Sequence, residues 1–206
     1  MNKVNPAGEQ EQLLDYQDLN FKFNLPTSQA GTFSLWGTAL IDKVKPKITP
    51  PDKWNYLDDA KDSRMKQTSA AAGLTHLYTF RGGGALKTTL AATYIQTSAS
   101  ESIYDMQMKP SPYLDFRSQY THLVLTSSFN KKYSPRHTNK TGFTVTHMMY
   151  DMHFDLSPSY TQPMHSISVG KGSTDLIAAY TSSLFHISDR LSATLGVNGQ
   201  LFTLNH

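Results

Sequence analysis

Segment 147–153 holds the densest set of potential metal ligands in the chain, with two histidines, three methionines and an aspartate. Thioether and imidazole groups suit copper or haem iron. Further methionine and histidine lie in neighbouring segments, at Met106, Met108, Met164 and His165. If the segment is a strand, however, His147, Met149 and Asp151 share one face and the residues between them share the other. The favoured interpretation is therefore a strand rim that binds neither a metal nor a cofactor.

Other polar motifs also lack the pattern of a known site. Segment 169–174 has the glycines and lysine of a phosphate loop, but a glycine follows Lys171 where that motif needs Ser or Thr. Five aspartates are candidates for calcium ligands, namely Asp58, Asp59, Asp62, Asp151 and Asp155. Their spacing is not that of an EF-hand loop. No spacing of Ser, His and Asp favours a catalytic triad, so we predict no catalytic residue and no enzymatic activity.

The composition excludes further classes of function. The formal net charge of +3 over 206 residues is too small to indicate nucleic-acid binding. The chain has no cysteine and therefore no disulfide framework and no thiolate metal site. Charged residues make up only 17%, and the polarity comes mainly from Ser, Thr, Asn and Gln. Such a composition suits a sheet with one face in lipid and the other in water.

Alternating apolar and polar residues predict strands along most of the chain. The predicted strands are 13–25, 33–41, 66–80, 85–95, 118–129, 141–152, 174–187 and 191–204. In the last of them the period of two continues over roughly ten residues, the length that crosses a bilayer as a tilted strand. Trp36 lies out of phase with the apolar residues of its strand.

The connections between these strands alternate in length. Short turns are predicted at 26–31, 81–84, 130–139 and 188–190, and connections of some twenty residues at 42–64, 97–117 and 153–172. Outer-membrane barrels have short periplasmic turns and long extracellular loops. The predicted fold class is therefore all-β, an antiparallel up-and-down sheet of about eight long strands that forms a segment of a transmembrane β-barrel. With the short turns in the periplasm, both chain ends would be extracellular, so we expect residues 1–206 to be a partial barrel domain with neither plug nor signal peptide.

Three aromatic residues outside the predicted strands are candidates for ligand contact, namely Trp54, Tyr56 and Tyr113. Trp54 and Tyr56 lie in the predicted connection 42–64, where an aromatic platform could stack on a sugar. Ordinary packing within that connection is the favoured alternative. Other aromatic residues lie near strand ends or along strand faces, where those at the ends would anchor at the headgroup level: Tyr78, Phe80, Tyr94, Tyr120, Phe129, Tyr150, Tyr180 and Phe202.

Six tracts of the chain carry a family resemblance: 18–24, 86–94, 133–142, 174–180, 187–191 and 195–204. They resemble the strands and short periplasmic turns of TonB-dependent outer-membrane receptors, in particular of the branch that imports glycans and metal complexes. The resemblance implies a barrel of about twenty-two strands with a plugged lumen, of which this chain would supply about a third. The implied function is the barrel wall and extracellular loops of a receptor that takes up a glycan, a siderophore or another metal complex.

The resemblance also implies partners and a location. The expected partners are outer-membrane lipid, a small nutrient ligand held by the loops, and a surface lipoprotein. TonB and a plug domain would act through parts outside this chain, and no nucleic acid is involved. The expected location is the bacterial outer membrane. Two alternatives stay open: a self-contained eight-stranded barrel with a structural or adhesion role, and a soluble lipocalin-like or sandwich binder.

The alternation further predicts which side chains share a face. Phe21, Phe23, Leu195 and Val197 are expected to face lipid. Asn20, Asn24, Asn198 and Gln200 are expected to face the lumen. In a segment of a larger barrel, the first and last strands would not pair with each other.

Overall fold

The computed structural model describes residues 13–45, 48–159 and 162–203. These residues form eight β-strands and two short 3-10 helices. The strands are β1 (Leu13–Pro26), β2 (Thr32–Lys45), β3 (Lys61–Phe80), β4 (Gly84–Tyr104), β5 (Pro110–Ser134), β6 (His137–Leu156), β7 (His165–Ser188) and β8 (Leu191–Thr203). The 3-10 helices, Pro51–Lys53 and Leu57–Ala60, lie between β2 and β3. Among the described residues, no helix has the length and apolar character needed to span a membrane.

All eight strands belong to one antiparallel sheet, in which each strand pairs with the next in sequence order. This confirms the predicted all-β, up-and-down fold. β1 and β8 do not pair with each other and form the two edges of the sheet, as predicted for the first and last strands. Each edge therefore carries backbone N–H and C=O groups without a partner strand in the described sheet.

Several strands extend further than the sequence pattern predicts. β4 continues to Tyr104 and β5 begins at Pro110, so the predicted connection 97–117 is wrong and only a five-residue turn, 105–109, remains. The predicted connection 153–172 is likewise wrong and is reduced to the eight residues 157–164. The connection 42–64 shortens to 46–60, and the turn 130–139 shortens to 135–136. In the extensions that replace 97–117 and 153–172, the antiparallel pairing continues with one register shift in each, at Glu101/Ser102 and at Phe154/Asp155, and the side chains no longer alternate cleanly between apolar and polar.

The register brings eight apolar side chains into one straight row across the sheet. From β1 to β8 the row is Phe23, Leu35, Leu74, Leu90, Leu125, Val145, Ile177 and Leu201. The adjacent row on the opposite face is Asn24, Ser34, Thr75, Thr89, Thr126, Thr144, Ala178 and Gln200. Successive side chains of a strand point to opposite sides of a sheet. The first row therefore defines an apolar face and the second a polar face.

The predicted division of side chains between the faces is confirmed. The register puts Phe21, Phe23, Leu195 and Val197 on the apolar face and Asn20, Asn24, Asn198 and Gln200 on the polar face. Hydroxyl groups link strands along the polar face. Ser34 Oγ donates to Asn24 Oδ1 at 2.7 Å, and Thr144 Oγ1 donates to Thr126 Oγ1 at 3.1 Å. These bonds connect neighbouring strands through the cross-strand side-chain pairs of the sheet.

Aromatic rings of the polar face lie against glycines on neighbouring strands. Trp36 is directly opposite Gly73, where an added Cβ would come within 2.5 Å of the indole ring. Tyr180 covers Gly142 in the same way, with the phenolic oxygen 2.8 Å from the position of such a Cβ. A glycine leaves room for a ring of the neighbouring strand to lie over its backbone. The ring then makes the packing contacts that glycine, which has no side chain, cannot make. Trp36 is out of phase with its apolar neighbours because it belongs to this face.

The sheet has almost no hydrophobic core. Among the described residues, Ala60 and Ile103 are the buried hydrophobic side chains. A soluble domain of this length normally packs two layers around one core. The sandwich or lipocalin alternative needs such a core, and the eight-stranded barrel alternative needs β1 paired with β8. The described sheet shows neither feature.

Candidate membrane interface

The apolar face exposes large hydrophobic side chains on every strand. Val197 is 74% exposed, Leu195 68% and Phe23 66%, and the members of the apolar row in the central strands are also exposed except for the half-buried Val145. Eight strands at a spacing of about 4.8 Å make this surface roughly 34 Å wide. A continuous apolar surface of this extent is not normal for a soluble monomer and indicates contact with a membrane or another protein.

Aromatic side chains border the apolar face at the end with the short turns. The border consists of Phe33, His76, Tyr78, Phe80, Phe129, Tyr133, His137 and Phe185. Several of them touch across strands: the ring centroids of Phe33 and His76 are 4.4 Å apart, and those of His137 and Phe185 are 4.5 Å apart. Girdles of aromatic residues flank the apolar band of outer-membrane barrels at the membrane interfaces.

Charged side chains mark the opposite border of the apolar face. Lys131 in β5 lies within the aromatic border, its ammonium over the ring of Tyr133, and beyond that border the first charged residues are Lys43 in β2, Lys66 in β3, Arg117 in β5 and Asp175 in β7. Between the two borders, the described strands carry no Asp, Glu, Lys or Arg on the apolar face. The polar face does carry such residues at the same level, for example Lys22 and Lys87. The absence of charge is therefore specific to one face.

The distance between the two borders matches the height of a membrane band. Ten residues separate Phe33 from Lys43 in β2, and ten separate Asp175 from Phe185 in β7. At about 3.3 Å per residue, and with a strand tilt of about 40°, ten residues rise about 25 Å. The apolar band of an outer-membrane barrel is about 25 Å tall.

The aromatic border runs obliquely across the sheet. Phe33 is in a straight row with Ala179, and the border residue Phe185 lies six residues beyond Ala179. Six residues are about 20 Å along a strand and five strand spacings are about 24 Å, so the aromatic border is inclined by about 40°. The charged border is level from Lys43 to Arg117, which lie in one straight row, and it reaches Asp175 six residues beyond that row in β7. Strands of outer-membrane barrels tilt by about 35–45°.

The three predicted ligand-contact residues have different environments. Trp54 is half-buried, and its indole Nε1 donates to the backbone oxygen of Thr49 at 2.7 Å, in accord with the packing alternative. Tyr56 is 78% exposed and precedes the helix Leu57–Ala60. Tyr113 is not in a loop: it lies in β5, at a bulge opposite Glu101 and Ser102. The sequence pattern placed it in the predicted connection 97–117, most of which belongs to β4 and β5.

The histidines of segment 147–153 pair with carboxylates. His147 Nδ1 is 2.7 Å from Asp175 Oδ1, and His153 Nε2 is 2.8 Å from Asp155 Oδ2. The register confirms the predicted division of the segment between two faces, with Met148 on the polar face. Within the part of the chain that the structure describes, no three His, Cys, Asp or Glu residues come together as metal ligands.

The candidate calcium ligands near β3 have structural partners. Asp58 pairs with Lys61 at 2.8 Å, and Asp62 pairs with Arg64 at 2.6 Å. The carboxylate of Asp59 accepts hydrogen bonds from the backbone N–H groups of Tyr56 and Asn55, and these bonds lower its pKa. The three carboxylates therefore organise the connection between β2 and β3.

Sequence reasoning identified only part of the aromatic border. Tyr78, Phe80 and Phe129 belong to it, whereas Phe33, His76, Tyr133, His137 and Phe185 were missed. These five residues share the apolar phase of their strands and lie within a few residues of a short turn. That combination is the sequence signal that identifies them. Four other aromatic residues lie on the polar face and cannot belong to the border, namely Tyr120, Tyr150, Tyr180 and Phe202.

Comparison with protein families finds no family model that matches the chain, and comparison with curated proteins finds no significant match.

Proposed function

We propose that the chain forms part of the wall of a bacterial outer-membrane β-barrel, with its apolar face in lipid and its polar face toward the lumen. The observation that carries this proposal is the uncharged, aromatic-bordered band of the apolar face. Its height of about 25 Å in β2 and β7, and the inclination of about 40° of its aromatic border, agree with the height of the apolar band and the strand tilt of outer-membrane barrels. The function of a soluble protein requires neither this band height nor this inclination.

The unpaired edges support a larger assembly. Lipid cannot satisfy the backbone groups of an open sheet edge, so a sheet in the membrane needs a partner strand at each edge. In the proposal, β1 and β8 pair with further strands of the same barrel. The resemblance of six tracts to TonB-dependent receptors supports a nutrient receptor as that barrel, with a glycan, a siderophore or another metal complex as ligand. TonB, a plug domain and a surface lipoprotein are the partners in this proposal.

Cell fractionation and growth tests check this function. The protein is expected in the outer-membrane pellet, from which carbonate washing does not release it. Deletion of its gene is expected to abolish growth on at least one glycan or iron source, and deletion of TonB should abolish growth on the same source. Recovery in the soluble fraction would overturn the membrane proposal. Growth on every source tested, with the protein in the membrane, would overturn the receptor assignment alone.

Thiol cross-linking tests the open edges. The chain has no cysteine, so an introduced pair supplies the only thiols among its 206 residues. Cysteines replacing Asn20 and Asn198 lie on β1 and β8 and should not be joined by a short bifunctional thiol reagent. Cysteines replacing Asn20 and Thr38 are directly opposite in β1 and β2 and should react efficiently. Efficient joining of positions 20 and 198 within one chain would instead show a closed barrel of eight strands.

A further inference from the structure

The charged border of the apolar face begins with two lysines that face each other. Lys43 in β2 and Lys66 in β3 are directly opposite in the register and both are exposed. Like charges at opposed positions of a sheet destabilise it. Neither side chain forms an ion pair within the described part of the chain, although Asp15 is opposite Lys43 in β1. A carboxylate thus lies opposite Lys43 but Ser98 lies opposite Lys66, so an anion near both ammonium groups would reduce their repulsion.

A depression surrounds these two lysines on the same face. Its lining includes the cations Lys43, Lys45, Arg64 and Lys66, with Ser98, Ser100 and Asp115 beside them. Arg64 is held by Asp62, its NH2 group 2.6 Å from the carboxylate. The remaining three lysines outnumber Asp115 in the lining and Asp15 opposite Lys43, so the depression has a net positive charge. Ser100 has a hydroxyl donor for a tetrahedral oxyanion, and rotation of the Ser98 hydroxyl, which donates to the backbone oxygen of Lys66 at 3.5 Å, would supply a second.

The height of this depression relative to the apolar band identifies its ligand. On the apolar face of β2, Ala39 and Ile41 lie between the middle of the band and Lys43. In β3, Ala70 and Thr68 lie between the middle of the band and Lys66. The lysines are thus at the first charged level above the band, where lipid phosphates lie when the band is in hydrocarbon. Lysines close to a membrane surface attract anionic headgroups, each by an amount that corresponds to about a fivefold change in affinity.

We propose that Lys43 and Lys66, with Lys45 and Ser98, bind the phosphate of an anionic lipid in the leaflet next to the longer connections. This inference rests on the proposed membrane function, because it needs the apolar face in lipid. The bound phosphate offsets the repulsion between the opposed lysines and fixes the height of β2 and β3 in the membrane.

The test measures which lipids contact the protein in a membrane. The purified protein is reconstituted into vesicles of phosphatidylcholine that contain spin-labelled phosphatidylglycerol or spin-labelled phosphatidylcholine. Electron paramagnetic resonance then gives the fraction of each label that is motionally restricted by the protein. We expect phosphatidylglycerol to be preferred by about fivefold or more, and we expect 0.5 M salt to reduce this preference.

Matched variants locate the preference. Lys43→Gln with Lys66→Gln should abolish most of it, while Lys43→Arg with Lys66→Arg should retain it. Lys22→Gln with Lys87→Gln removes the same charge from the polar face and should leave the preference unchanged. An equal loss in both glutamine variants would overturn the site in favour of a general charge effect. The complete absence of restricted lipid would overturn the membrane placement, whereas restricted lipid without preference would overturn the headgroup site alone.

Discussion

Val197→Arg is expected to destabilise the protein in its membrane by about 2–4 kcal/mol. Val197 is 74% exposed on the apolar face of β8 and lies near the middle of the band, between the levels of Phe185 and Asp175. An arginine there would place a charge near the bilayer midplane, where no protein group is available to pair with it. The measurement is urea unfolding of the protein in the membranes of the cells that make it, followed by protease resistance.

The adjacent residue is the control for this substitution. Asn198 lies at the same height on the polar face and is also exposed, so Asn198→Arg should cost well under 1 kcal/mol, as usual for surface substitutions. The same contrast is expected between Leu195→Arg and Gln200→Arg, which lie on opposite faces of the strand. Equal costs at positions 197 and 198 would contradict the assignment of the apolar face to lipid.

Gly31→Ala is expected to destabilise the sheet by about 2–5 kcal/mol, through two separate effects. Gly31 ends the turn between β1 and β2 with a φ of 83°, which an L-residue adopts only with strain. A Cβ at this position would also lie 2.2 Å from the backbone oxygen of Leu77 in β3. A backbone oxygen within a ladder cannot move away as a flexible side chain would. The clash would therefore separate the turn from β3. It would also break the contact between Nε2 of His76 in β3 and the backbone oxygen of Ala30 in the turn, which are 2.6 Å apart.

Two glycines of the turn between β3 and β4 allow the cost of backbone strain to be measured separately from the cost of the steric clash. Gly83 has a φ of 78° but open space around its Cβ position, so Gly83→Ala should show the strain alone, about 1–2 kcal/mol. Gly82 has open space and no positive φ, so Gly82→Ala should be nearly neutral. Urea unfolding of the three variants should give this order. A cost for Gly31→Ala no greater than that for Gly83→Ala would show that the turn does not pack against β3 as described.

The sequence alone determined the class of the fold and the sidedness of its strands. Strict alternation in β1 and β8 was sufficient to assign Phe21 and Asn20, or Val197 and Asn198, to opposite faces, because the period of a strand is two. The glycine-rich and Asp-Arg turns were also visible, since short turns need particular residues. Of the three glycines at 82–84, only Gly83 has a positive φ, and Gly84 already belongs to β4.

Strand length and the identity of the site required the tertiary structure. The extensions of β4 to Tyr104 and of β7 back to His165 carry mixed side chains, so only pairing with a neighbouring strand reveals them. The same holds for the borders of the apolar face. Phe33 and Phe185, or Lys43 and Lys66, are far apart in sequence, and no local pattern states which residues of different strands lie at one level. Register decides this, and register is set by the sum of backbone hydrogen bonds and side-chain contacts over the whole sheet.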